Sequence, residues 1–225
     1  MSLFNRMIAA CPACGATAET EVVSSVNADR RPDLREAILD GSFQAMVCTE
    51  CAVGFRLPPR FTYMDFARGQ WLLAHPSEDL AQWADYEAET TQVFEATFGA
   101  AAPRSARAVG EGMQPRVVFG WPAVREKLLC QELGLEDVTL ELLKVAILRD
   151  VQQPPFADTT ELRLVDGDDV MLRFAWFDAA DETELARLAV PRPVYRGVAA
   201  DGAAWAGLRA AFQGAAFVDL NRLLV

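Results

Sequence analysis

The sequence predicts an α+β protein in two parts, a small β domain at the N-terminus and a larger domain of helices and antiparallel sheet. Three observations carry this. Two C-x-x-C pairs, Cys11-Pro-Ala-Cys14 and Cys48-Thr-Glu-Cys51, each sit beside short runs of strand character. A helical spacing of large apolar residues follows, at Leu80, Trp83, Tyr86, Phe94 and Phe98. Further on, Glu161–Val165 and Val170–Phe177 flank Asp166-Gly167-Asp168, the pattern of a β-hairpin.

Each element follows from local chemistry. Residues 19–26 alternate as a strand, and Asn27-Ala-Asp29 breaks it. Pro32 suits the first position of a helix, Asp33 and Glu36 favour its positive end, and Gly41 stops it. Residues 43–47 lead as a strand into the second cysteine pair, residues 54–57 lead out of it, and Pro58-Pro59 ends the run. Residues 61–66 and 70–75 flank Ala67-Arg68-Gly69 as a second hairpin. Ser77 caps a helix of about five turns. Residues 99–112 are rich in Ala, Gly, Pro and Arg and read as a linker, dividing the chain into 1–98 and 113–225.

After the linker, residues 117–119 are a short apolar run and residues 123–133 a helix. Asp137 caps a further helix, 138–148, that is apolar on more than one face. Such a helix lies at the centre of its domain or in an oligomer interface. Pro154-Pro155 ends the helical section, residues 184–190 suit a third strand, and residues 203–212 a last helix before an apolar C-terminal segment from Phe217.

The chain has 225 residues, 52% of them hydrophobic, enough to build one large core or two small ones. It has no run of 18 or more apolar residues, so no membrane span is expected, and residues 1–10 do not read as a secretory signal. A cytoplasmic location is the expectation, and there cysteines serve metals or catalysis rather than disulfides. The net charge of −11 repels phosphate backbones and disfavours nucleic acid as a partner.

Two C-x-x-C pairs spell a four-sulfur metal site. Each pair forms a tight turn that aims two thiolates at one point, and two such turns close a tetrahedral shell around Zn2+ at roughly 2.3 Å per bond. The expected ligands are Cys11, Cys14, Cys48 and Cys51, which makes the first domain zinc-ribbon-like. Four protein ligands leave no position for water or substrate, so the zinc is expected to be structural. A redox or iron centre is the competing chemistry. The fifth cysteine, Cys130 in Leu128-Leu129-Cys130, reads as a buried helical thiol.

The remaining candidates carry less. His75, the single histidine, stands before Pro76 and reads as a partly exposed surface residue, which leaves little room for triad chemistry. Asp166, Asp168 and Asp169 lack the distal glutamate of a calcium loop and read as a solvated turn. Arg30-Arg31 reads as surface charge at the start of a helix. Tyr63, Phe66 and Trp71, with Trp83 and Tyr86, read as a core between hairpin and helix rather than a recognition groove.

Cys11-Pro-Ala-Cys14, Ser25-Val-Asn27, Pro32-Asp-Leu-Arg-Glu-Ala-Ile-Leu-Asp-Gly41, Cys48-x-x-Cys51 and Tyr63-Met-Asp65 together resemble the bacterial CpXC domain over roughly residues 8–75. The family is named for its two cysteine pairs and has no assigned biochemical function. The resemblance implies a ribbon-like fold with Cys11, Cys14, Cys48 and Cys51 as ligands, and Thr49 stands where the family usually has proline. It supplies no catalytic residues.

The functional expectation is an interaction or adaptor protein whose zinc fixes a protein-binding surface, with a protein partner or self-association. The apolar helix 138–148 and the C-terminal segment are the candidate contact surfaces. The rival expectations are a thiol redox sensor that releases zinc on oxidation, and an enzyme using Asp65, Arg31 or Tyr63 in an interdomain cleft.

Overall fold

The computed structural model describes residues 2–151 and 160–223. The expected stop at Pro154-Pro155 and the end of the C-terminal segment lie outside the described residues. Strands β1 (Leu3–Ala10) and β2 (Thr17–Asn27) form an antiparallel ribbon whose turn carries the first cysteine pair. Helix α1 (Pro32–Asp40) starts at its proline and ends at Gly41, where φ is +88°, a conformation glycine takes without a Cβ penalty. β3 (Ala45–Val47) and β4 (Gly54–Arg56) form a small hairpin around the second pair.

β5 (Phe61–Asp65) and β6 (Gln70–His75) form the expected second hairpin. The helix expected from Ser77 starts differently. Residues Ser77–Gln82 wind as a 3-10 turn behind Pro76, and the α-helix proper is α2 (Trp83–Phe98). The expected linker contains a short helix, α3 (Arg104–Gly110), and leads into β7 (Gln114–Phe119).

A five-stranded sheet in the order β1-β2-β5-β6-β7 results, with β2/β5 and β6/β7 parallel. The sheet therefore crosses the expected boundary at 99–112. The physical reason is the apolar end of β7: Val117, Val118 and Phe119 are buried, and their backbone is paired from Gln70↔Gln114 to His75↔Phe119. α2 and α3 form the crossover that any parallel pair of strands requires.

Both faces of the β5-β6-β7 part of this sheet are covered. On one, Tyr63, Leu72, Ala74 and Val118 pack with Ile38 of α1 and Val124 and Leu128 of α4 (Gly120–Glu132). On the other, Trp71 and Leu73 meet Phe94 and Phe98 of α2. Beside them Val117 and Phe119 meet Phe217, Trp83 and Tyr86. Every residue of β6 is consequently buried, as befits a strand covered on both sides.

The second core lies beyond α4. Helix α5 (Asp137–Asp150) packs Leu140, Leu142, Leu143 and Ile147 against an antiparallel meander of β8 (Thr160–Gly167), β9 (Met171–Asp178) and β10 (Glu184–Pro191). Helix α6 (Arg192–Ala200), unexpected from the sequence, adds Val198, and Trp205, just before α7 (Ala206–Phe212), joins it. Prolines 191 and 193 do not prevent α6, because they sit at its cap and first turn, where the missing N–H costs nothing. A 3-10 turn at Leu220–Leu223 closes the described chain. The molecule is thus a mixed α+β fold with a cysteine cluster near its N-terminus.

Candidate metal centre and its surroundings

The two cysteine turns are built alike. Gly15 N–H donates to Cys11 O at 2.9 Å, and Ala52 N–H donates to Cys48 O at 3.0 Å. The residue after each second cysteine is left-handed, Gly15 at φ +74° and Ala52 at φ +58°. Ala52 therefore takes the glycine conformation in spite of its Cβ. Cys11 N–H donates to Ala16 O at 2.8 Å and Cys48 N–H to Val53 O at 2.9 Å, which closes each loop.

These turns face each other. Cys11 Sγ lies 3.7 Å from Cys51 Sγ, and Cys14 Sγ lies 3.6 Å from Cys48 Sγ. All four sulfurs lie within 4.8 Å of one another. A tetrahedral shell with bonds of roughly 2.3 Å places its sulfurs roughly 3.8 Å apart, so the set fits a single metal ion. Backbone N–H groups of Cys51 and Glu50 point at the Cys48 sulfur and hold its thiol down to about 7. For Cys14 the N–H of Ala16 pulls the same way, but the neighbouring sulfurs Cys51 and Cys48 outweigh it and push the thiol up to about 12. Four thiolates share this space only if a cation offsets their repulsion. Cys11 and Cys48 are buried, whereas Cys14 and Cys51 lie at the surface.

A family model described as CpXC protein matches residues 9–144, more than half of the chain. The chain belongs to the CpXC family. No curated protein and no solved structure matches it. The CpXC match reaches well past residue 75, through β7 and α4 and into α5, and so takes in the crossover and both layers that cover the five-stranded sheet. The family carries no assigned function.

Elsewhere in this CpXC protein the expected candidates are dispersed. Tyr63 and Asp65 are fully buried, and the Tyr63 hydroxyl donates to Asp65 Oδ2 at 3.2 Å. Asp65 is bridged by Arg68 at 3.0 Å and approached by Arg35 at 3.9 Å. Arg31 is not with them; it pairs with Asp33 at 2.6 Å on the surface. The three residues proposed for a cleft are therefore not gathered into one.

His75 is a correction. It is buried, 4.2 Å from the Tyr86 ring and 5.9 Å from Phe119, because β6 is covered on both faces. Burial pushes its pKa below the ordinary value, with Glu89 opposing. The aromatic group expected as one core is divided: Tyr63 faces α1 and α4, Trp71 faces α2, and Phe66 is exposed. Asp168 accepts from the N–H groups of Val170 and Met171, both at 2.8 Å, and pairs with Arg173, so this turn is held by its own hydrogen bonds. Cys130 is buried as expected, and burial pushes its thiol above the ordinary range.

Sequence reasoning missed a buried ionic network between the two cores. Lys144 bridges Glu126 at 2.6 Å and Glu141 at 3.0 Å. Arg163 joins Glu126 at 3.2 Å, Glu161 at 2.6 Å and Asp219. Lys127 reaches Asp137 at 3.2 Å, which Arg116 also holds at 2.7 Å. Burial pushes the Asp137 carboxyl up, but Lys127 and Arg116 overcome it and hold the group well below the carboxylate range. Backbone N–H groups complete the set: Leu164 donates to Glu126 at 2.6 Å and Leu220 to Glu141 at 2.9 Å. One signal was available. A helix with no solvent face that still carries Glu141 and Lys144 three residues apart has to pair them inside.

Proposed function

We propose that this CpXC protein holds one structural Zn2+ on Cys11, Cys14, Cys48 and Cys51, and that the metal fixes a protein-binding surface. The observation that carries the reading is the closed sulfur set: all four positions of a tetrahedral ion are filled by protein, which leaves none for chemistry. Around it lies the apolar surface such a role needs. Among the described residues the β1–β2 ribbon joins the sheet only through Ser25–Asn27, and β1 is an edge strand. Leu3, Phe4, Met7 and Ile8 of β1 are exposed, as are Val47 and Val53 beside the second cysteine pair. An unpaired, apolar edge strand is a template for a partner strand. Of the surfaces expected from sequence, α5 lies in the second core, and in the C-terminal segment Phe217 and Val218 are buried beside β7 while Leu223 is exposed.

Elemental analysis of protein purified without added metal, with thiol titration before and after unfolding, tests the metal. One zinc per chain with thiols silent until denaturation supports the reading. Little zinc with several native-state thiols reactive sinks it. The surface is tested by comparing proteins that co-purify with the chain and with its M7K/I8K variant. A partner lost by a variant that keeps its zinc supports the binding role, and identical partners for both remove it.

The surface position of Cys14 and Cys51 favours a second reading, a thiol sensor. Two thiolates would give two electrons to a peroxide, form one disulfide and release the ion. Retention of zinc under mild peroxide excludes it.

A further inference from the structure

β1 is the open edge of the five-stranded sheet, and little guards it. Natural edges are blunted by lysine, proline or a bulge. Here the bulge falls at the very start, between Leu3 and Phe4, and the one charge from Phe4 to Ala10 is Arg6, which Glu19 meets at 3.6 Å. Ile8 is 71% exposed, more than any other large apolar residue described.

The direction of the free backbone groups follows from the β1–β2 ladder. Cys11 N–H donates to Ala16 O at 2.8 Å, which continues the register running from Phe4↔Val23 to Ala10↔Thr17. Pairs in an antiparallel ladder alternate between hydrogen-bonded and unbonded. Cys11, Ala9, Met7 and Asn5 therefore turn their N–H and C=O toward β2. Ala10, Ile8, Arg6 and Phe4 turn theirs outward.

Two copies of this edge can pair antiparallel about a two-fold axis. Outward groups have to meet outward groups, so the axis passes through one residue. An axis at Asn5 sets Arg6 opposite Phe4 of the second copy, where Arg31 already stands over the ring at 5.4 Å. An axis at Arg6 sets two guanidinium groups opposite each other, which is destabilising. An axis at Ile8 brings Phe4 opposite Pro12, which has no N–H to give. An axis at Met7 avoids all three.

We propose that β1 pairs with β1 of a second copy, antiparallel, with Met7 on the two-fold axis. Arg6 of each copy exchanges backbone hydrogen bonds with Ile8 of the other, and Phe4 does so with Ala10. Met7 meets Met7 as an unbonded pair, the closer kind, at roughly 4.5 Å between Cα atoms. The stem of Arg6 lies over Ile8 of the second copy and carries its charge toward that copy's Glu19, which stands beside Ile8 in the register. This proposal rests on the reading of β1 as the binding edge and names its partner; it does not depend on which metal the cysteines hold.

Sedimentation of the full, zinc-loaded chain over a concentration series tests it. A monomer–dimer equilibrium is expected at up to about 100 µM, the range of a small interface. M7K and M7E each place like charges together on the axis and should weaken the dimer by roughly tenfold or more. An equimolar mixture of the two variants sets lysine against glutamate and should recover the dimer. Met7 is exposed, so both variants should keep their circular dichroism and their zinc. A parent chain that stays monomeric overturns the proposal whatever the variants do. So does a dimer that M7K leaves intact, or a mixture that recovers nothing. A monomeric parent that still loses a co-purifying protein on M7K/I8K substitution removes self-pairing alone and keeps the ribbon as a binding surface.

Discussion

Ala52 and Gly15 occupy equivalent places in the two cysteine turns, and only one of them is a glycine. A left-handed residue with a Cβ carries a penalty of about 1–2 kcal/mol, part of which glycine returns as unfolded-chain entropy. Ala52→Gly should therefore raise stability by up to about 1 kcal/mol without loss of metal, read by urea unfolding beside zinc content. Lys144 presents the opposite case. It is buried between Glu126 and Glu141, and truncating one partner of such a set strands the other charges. Lys144→Met should cost about 3–5 kcal/mol in the same urea assay. His75 gives a pH signature. Its folded pKa lies below the ordinary value, so the unfolded chain takes up a proton that the folded chain refuses. Its contribution is intact above about pH 6.5 and is lost as pH falls through that value toward the lowered one. The groups facing it, Arg60, Asp79 and Glu89, remain in His75→Phe. The difference in unfolding free energy between parent and variant should shrink above neutrality and grow in the variant's favour on acidification. A difference independent of pH would refute the assignment.

At the scale of elements, the legible and the hidden separate by what each element packs against. α1 was legible because Pro32, Asp33 and Gly41 mark its ends locally. Both hairpins and the cysteine turns were legible for the same reason. β1 was not, because Leu3, Phe4, Met7 and Ile8 show no alternation when neither face is buried. α6 was hidden by its two prolines, which read as breakers until their place at the cap and first turn is seen. α4 and α5 were visible as helices, yet their layer was not. α4 is buried on nearly all sides because it serves the sheet with Val124 and Leu128 and the second core with Cys130. The four cysteines were readable as residues, whereas the meeting of a β1–β2 turn with a β3–β4 hairpin is a tertiary fact.

For the whole molecule, the cysteine cluster and the main cores are separate sources of order. The cysteine turns rest on the two-stranded β3–β4 hairpin and the projecting end of β1–β2, and an isolated two-stranded ribbon is marginal in water. The five-stranded sheet and the α5 layer have their own buried apolar clusters. Metal removal by a chelator should therefore be local. Hydrogen exchange should rise sharply at residues 9–18 and 45–56, with β6, α4 and α5 still protected. Global loss of protection would mean that the ion supports the entire fold. Among the described residues no helix is long and apolar enough to cross a membrane, and the net charge of −11 sets a field that repels polyanions.

The sequence by itself determined the cysteine pairs, the proline start and glycine stop of α1, the two hairpins and the family, because each rests on spacing and chemistry within a few residues, whereas neither Ser77 nor Asp137 is the helix cap expected of it. Only the tertiary structure decided that β7 joins the first sheet across the expected linker, that His75 is buried, and that Lys144, Arg163 and Glu126 pair inside. These depend on which surfaces meet, and burial and pairing at a distance leave almost no trace in local order.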